Sequence, residues 1–133
     1  MIVDTSALLA FFDELEPKHQ AVSEVITDSS LCIVSPYVMA ELDYLVSSRY
    51  GRIAELAVLN ELLNGDWELA SMTYDQVSES CMIMSRHEQT IGLADASNLV
   101  LAKQYHVDSI ATLDYRHFSY LHLPDAKPLR ILP

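Results

Sequence analysis

Positive charge is scarce in this chain. Its 133 residues hold eight lysines and arginines against nineteen aspartates and glutamates, a formal net charge of −11. Non-specific nucleic-acid binding needs a basic surface, so the composition argues against a plain nucleic-acid binder. It does suit a partner that brings positive charge of its own, or an active site that recruits cations. Cysteine is nearly as rare. Cys32 lies in the apolar run Leu31-Cys32-Ile33-Val34 and Cys81 in a Met-rich helical stretch. Both read as small core hydrophobes, which excludes a disulfide framework. No CxxC and no His/Cys spacing suggests zinc. No apolar stretch nears the ~20 residues that span a bilayer, so no membrane helix is expected. The start, Met1-Ile2-Val3-Asp4, lacks the basic n-region of a signal peptide, and a cytoplasmic location follows as an expectation.

What is present is an alternation. Short β-like runs occur at Ile2-Val3, Leu31 to Val34, Trp67 to Leu69, Ser109 to Leu113 and Leu129 to Leu132. Between them lie helical patterns over Thr5 to Phe12, Lys18 to Ile26, Pro36 to Arg49, Arg52 to Leu63, Tyr74 to His87 and Asp95 to Tyr105. Ser35 followed by Pro36 is a cap with proline at the first helical position. Leu56, Leu59, Leu62 and Leu63 fall at helical spacing. The three glycines, Gly51, Gly65 and Gly92, sit at joins. No repeat, linker or low-complexity tract divides the chain, and one domain over 1–133 is expected. Near-continuous apolar strands alternating with helices predict an α/β fold, a three-layer sandwich with a mostly parallel sheet of about five strands.

Four acids gain meaning in that architecture. Asp4 leaves the first strand and Asp114 the fourth, both at the C-terminal edge where open parallel sheets build their sites. Asp95 begins the helix that feeds the fourth strand. Glu41 lies inside the helix after the second strand, on a face shared with Val38, Leu42 and Leu45. Each has an ordinary use when taken singly. Asp4 and Asp95 can cap helices, Asp114 can open a turn, and Glu41 can be a partly solvated helix residue. Together they would repel by roughly 3 kcal/mol per pair at about 5 Å and an effective dielectric near 20. A fold keeps such a cluster when a cation relieves it. Oxygen-only ligands select a hard dication, Mg²⁺ or Mn²⁺.

Other residues read more plainly. Asn98 lies one helical turn after Asp95 and faces the same way. His117 reads as a surface or phosphate-contacting residue beside Arg116. His19, His87, His106 and His122 show no ligand spacing. Cys81-Met82-Ile83-Met84 reads as core filler.

Four segments in this order resemble the PIN-domain ribonucleases, and among them the VapC-type toxins of bacterial toxin–antitoxin pairs. They are Ile2-Val3-Asp4-Thr5-Ser6-Ala7-Leu8-Leu9-Ala10, Ser35-Pro36-Tyr37-Val38-Met39-Ala40-Glu41-Leu42, Leu93-Ala94-Asp95-Ala96-Ser97-Asn98-Leu99-Val100-Leu101-Ala102 and Ile110-Ala111-Thr112-Leu113-Asp114-Tyr115-Arg116-His117-Phe118. The resemblance implies a Mg²⁺- or Mn²⁺-dependent endoribonuclease that leaves a 5′-phosphate and a 3′-hydroxyl. Asp4, Glu41, Asp95 and Asp114 would be the acidic quartet. Ser6 and Thr112 match supporting hydroxyls, and Arg116 and His117 are candidate RNA contacts. It also implies a cognate antitoxin with a basic inhibitory segment, and a homodimer. Transfer, ribosomal and messenger RNA stay open as targets. A haloacid-dehalogenase-like phosphatase would want an aspartate two residues after Asp4, where Ser6 stands. A non-catalytic regulatory domain of the same fold is the other alternative.

Overall fold

A computed structural model describes residues 1–88, 90–119 and 127–133. Five strands form one parallel sheet in the order β3-β2-β1-β4-β5. They are β1 (Ile2–Val3), β2 (Cys32–Val34), β3 (Trp67–Leu69), β4 (Ser109–Ala111) and β5 (Arg130–Leu132). The register pairs Ile2 with Ile33 on one side and with Ile110 on the other. Helices α1 (Thr5–Phe12), α2 (His19–Thr27), α3 (Pro36–Tyr50), α4 (Arg52–Asn64), α5 (Tyr74–Arg86), α6 (Leu93–Gln104) and α7 (Tyr115–Phe118) complete the described elements.

The strand alternation makes three layers. Val3, Val34 and Ala111 face one core with Leu8, Val22, Val38 and Leu42 from α1 to α3. Ile2, Ile33 and Ile110 face the other core with Leu99, Leu101 and Phe118 from α6 and α7. Sealing both faces lets the central strands be apolar throughout, and each buried Ile contributes about 1.5–3 kcal/mol. The edge strand β3 departs from that pattern, with Glu68 exposed between half-buried Trp67 and Leu69.

Local chemistry sets the helix starts. Ser35 Oγ accepts the Tyr37 N–H at 3.2 Å, and Pro36 opens α3. Thr73 and Gln76 exchange a capping box at the start of α5. Gly51 has φ 85° and joins α3 to α4, a backbone conformation that favours glycine.

Several expectations shift. Cys81 is exposed, not core, although Cys32 is buried. In the same run Met82 is 46% exposed while Ile83 and Met84 are half-buried against the second core. The apolar stripe of α4 runs through Ala54, Val58 and Leu62, spaced by four, so Leu56 and Leu63 fall outside it and face solvent. Strand β4 ends at Ala111, because the Leu113 and Asp114 amides turn aside to the Ser6 and Thr112 hydroxyls. Among the described residues no helix is long and apolar enough to cross a membrane. His122 lies outside the described residues.

Candidate active site

Chain order places the site. The path from β1 through β2 to β3 moves one way, and β4 then lies on the other side of β1. The direction therefore reverses between β1 and β4, the crevice where open α/β sheets hold ligands. Asp4 follows β1 and Asp114 follows β4 at that crevice. Helix α6 leads into β4 and so starts at the same edge, carrying Asp95. Helix α3 leaves β2 there, carrying Glu41. All four acids line one cavity of about 290 Å³, together with Ser6 and His117.

Asp4 is 5% exposed and heavily braced. Its Oδ2 accepts the Ser6 hydroxyl at 2.9 Å and the Thr112 hydroxyl at 2.9 Å. Its Oδ1 accepts Asn98 Nδ2 at 3.3 Å. The same Oδ2 takes the Ser6 N–H at 3.4 Å, so Asp4 also caps α1. The ordinary use and the clustered one coexist in this residue. Ser6 and Thr112 accept the amides of Leu113 and Asp114, which ties the end of β4 to the start of α1. Asn98 faces the site as its spacing implies, but its partner is Asp4.

Asp95 stands at the third position of α6, not its first. Gly92 is the cap, and Asp95 Oδ2 accepts the Gly92 N–H at 3.0 Å. An acid at the third position reaches back to the cap amide, so the helix begins at Leu93, two residues ahead of the expected start. Glu41 does not share the core face. That face is Val38, Leu42 and Val46, while Leu45 is half-buried and Glu41 opens onto the cavity. Asp114 caps a helix that the sequence pattern missed. It accepts the His117 N–H at 3.2 Å and pairs with His117 Nδ1 at 2.9 Å. Arg116 is exposed and lines an adjoining cavity with Ser6, Leu113, Asp114 and Tyr115.

Burial raises the Asp95 carboxyl from its ordinary value, and Asp4 and Asp114 push it the same way. The Gly92 amide and His117 oppose this. Burial also lifts Glu41, with Asp4 and Asp95 adding to the effect. The Thr5 hydroxyl pulls Glu41 the other way without reaching a formed hydrogen bond. A carboxyl with a raised folded pKa keeps its proton to higher pH in the fold than in the open chain. Its stability contribution is therefore lost as pH rises through the raised value and regained as pH falls toward the ordinary range. The metal-free protein should lose melting temperature as pH rises from the ordinary carboxylate range through these raised values. Asp95→Asn should flatten part of that slope, as should millimolar Mn²⁺. Equal slopes by scanning calorimetry for both proteins would contradict the assignment.

The cavity fits a hard cation. Its lining offers carboxylate and hydroxyl oxygens, its one imidazole, His117, is paired with Asp114, and none of its described lining residues is Lys or Arg. Behind Asp4, which its Nδ2 contacts, Asn98 keeps a buried Oδ1 without a partner. Among the described residues no three ligand groups already converge at metal-holding distance. Mg²⁺ uses one or two carboxylates while keeping several waters, so it needs no three preformed protein ligands.

The comparisons with known proteins bear on the family and the fold. A PIN domain family model matches residues 1–121. Ribonuclease VapC26 of Mycobacterium tuberculosis is 55% identical over 123 residues, 91% of this chain and 91% of that protein. The crystal structure of M. tuberculosis VapC20, a sarcin–ricin loop cleaving toxin, matches with a TM-score of 0.79 at 18% identity, covering 86% of this chain and 89% of that one. A toxin–antitoxin complex from Klebsiella pneumoniae matches with a TM-score of 0.70 at 14% identity, covering 90% and 91%. At such identities the two structures speak to the fold.

Proposed function

Since this chain belongs to the PIN-domain family and its VapC ribonucleases, we propose that it is the toxin of a toxin–antitoxin pair and cleaves RNA by metal-assisted phosphodiester hydrolysis. The observation that carries the mechanism is the convergence of Asp4, Glu41, Asp95 and Asp114 on one cavity without Lys or Arg among its described lining residues.

Asp4 and Asp95 are the direct ligands of Mg²⁺ or Mn²⁺ in this reading. Asp4 is held by two hydroxyls and an amide, so one face of its carboxylate stays aimed. Asp95 is held by the Gly92 amide through Oδ2. A hard dication bound there would neutralise the scissile phosphate and acidify water. Glu41 and Asp114 orient the attacking water, Glu41 from α3 and Asp114 from the end of β4. His117 steadies Asp114 through the 2.9 Å pair. Arg116, in the adjoining cavity, holds a neighbouring phosphate of the same strand.

An antitoxin that brings a basic segment would answer both the acidic cavity and the −11 charge, since opposite potentials speed association. The toxin–antitoxin complex among the structural neighbours supports such a partner. We also propose a homodimer and a cytoplasmic location, as for the family resemblance.

The test is a panel of ribosomal, transfer and messenger RNAs incubated with the purified chain. Cleavage should need Mg²⁺ or Mn²⁺, stop with a chelator, and leave 5′-phosphate ends. Cleavage undiminished by the chelator would refute the mechanism.

A further inference from the structure

The four acids are unequally braced. Asp4 and Asp114 are held by hydrogen bonds from their own neighbourhoods. Glu41 depends more on where α3 sits, because its cavity neighbours Asp4 and Asp95 are charges that repel it. Something must hold the start of α3 against that push.

A buried hydroxyl pair spans the gap. Ser35 caps α3, Ser97 follows Asp95 by two residues in α6, and both are fully buried. Their Oγ atoms lie 2.6 Å apart. Proton counting gives the direction of the chain. The single Ser97 hydroxyl proton goes to the Ala94 carbonyl at 2.7 Å. The Ser35 hydroxyl must then donate to Ser97 Oγ, while Ser35 Oγ accepts the Tyr37 N–H at 3.2 Å. One directed path therefore runs from the first turn of α3 to the first turn of α6. The helices that bear Glu41 and Asp95 are joined by it in the protein interior, where an unmade hydrogen bond is costly.

Capping and local back-bonding explain each serine alone. Neither explains why two hydroxyls 62 residues apart meet at 2.6 Å between the two acid-bearing helices. We infer that Ser35 and Ser97 are positioning residues that fix Glu41 relative to Asp95 through their mutual hydrogen bond. This rests on reading the cavity as a metal-dependent catalytic site.

The experiment compares Ser97→Ala, Ser35→Gly and Ser35→Thr with a control, Ser80→Ala. Ser80 is equally buried and donates to the Gln76 carbonyl at 2.9 Å, but it lies in α5. Ser35→Gly removes the hydroxyl where glycine still serves as a cap, so it guards against misfolding in Ser97→Ala. Mn²⁺ binding is measured by calorimetry well below each melting temperature, beside kcat and KM on a cleaved RNA. Ser97→Ala and Ser35→Gly should each weaken Mn²⁺ binding about tenfold and lower kcat with KM unchanged. Ser35→Thr should keep the parent values. The double variant Ser35→Gly/Ser97→Ala should lose no more than either single one, because both remove the same bond. Ser80→Ala should lower the melting temperature without moving Mn²⁺ affinity. Parent-like Mn²⁺ affinity in Ser97→Ala and Ser35→Gly, or an equal loss in Ser80→Ala, overturns the inference while the catalytic reading stands. No Mn²⁺ uptake by the parent protein overturns both.

Discussion

Asp95→Asn should cut RNA about 10²–10⁴-fold more slowly than the parent chain, yet melt at a higher temperature when metal-free. The two effects share one cause. Asp95 is a half-buried carboxylate whose ionised form is disfavoured by desolvation and by Asp4 and Asp114. Its structural duty is to accept the Gly92 N–H at 3.0 Å, and an asparagine Oδ1 can do the same. The substitution thus removes charge and keeps the cap. Release of repulsion should stabilise the metal-free protein at pH 7.5 by about 1 kcal/mol, some 3–5 °C in melting temperature. Loss of a ligand should abolish the benefit of Mn²⁺. Asp4→Asn makes the contrast. Asp4 Oδ2 receives two hydroxyl donors and Oδ1 an amide donor. An asparagine NH₂ sets a donor against the two hydroxyls at Oδ2, or at Oδ1 makes the Asn98 amide turn over, and in either case the two hydroxyl bonds lose their charged acceptor. That variant should lose cleavage equally and also lose about 1–3 kcal/mol of stability. Calorimetry on both variants with and without Mn²⁺, beside RNA cleavage rates, tests the pair. Parent-like cleavage by Asp95→Asn would end its role as a ligand, and a lowered metal-free melting temperature would end the repulsion argument.

What the sequence made legible was local chemistry and strand ends. Ser35-Pro36 announces the start of α3 because both signals act within two residues of the cap. Asp4 and Asp114 were placed at one edge because strands β1 and β4 are apolar runs that stop beside them. The acids converge in the structure because parallel strands share one C-terminal edge. Asp95 was displaced by two residues, since its reach back to Gly92 depends on the helix starting earlier than the polar residue suggests. The four-residue α7 left no periodicity to detect. It exists because Asp114 accepts the His117 amide. Leucine spacing in α4 misled because two overlapping stripes were available, and packing against α3 selected Ala54, Val58 and Leu62. Cys81 misled by its apolar neighbours, of which Met82 shares its exposed side. Contacts across 62 or 106 residues, such as Ser35 with Ser97 and Ser6 with Thr112, carry no short-range pattern at all. The second follows from register, which the pairing of Val3 with Ala111 fixes, and the first from the packing of α3 on α6.

That register makes Thr112 the most consequential uncharged residue of the site. It follows Ala111 directly, is fully buried, and serves two acids at once. Its hydroxyl donates to Asp4 Oδ2 at 2.9 Å and accepts the Asp114 N–H at 3.0 Å. Thr112→Val keeps the shape and removes both bonds. Asp4 then keeps Ser6 and Asn98 as donors but loses one of its two short hydroxyl contacts, inside a region that offers little water in exchange. The loss should be about 2–3 kcal/mol of stability, because the acceptor is a carboxylate. That corresponds to a fall of roughly 6–12 °C in melting temperature. Mn²⁺ affinity should fall about 10–100-fold as Asp4 loses its aim. Thr112→Ser supplies the counter-experiment. It deletes one buried methyl at a cost of about 1 kcal/mol and keeps the hydroxyl, so its Mn²⁺ affinity should match the parent. If the valine and serine variants bound Mn²⁺ alike, the hydroxyl would not be what orients Asp4, and the rigidity of the strand end itself would have to explain how the carboxylate is held.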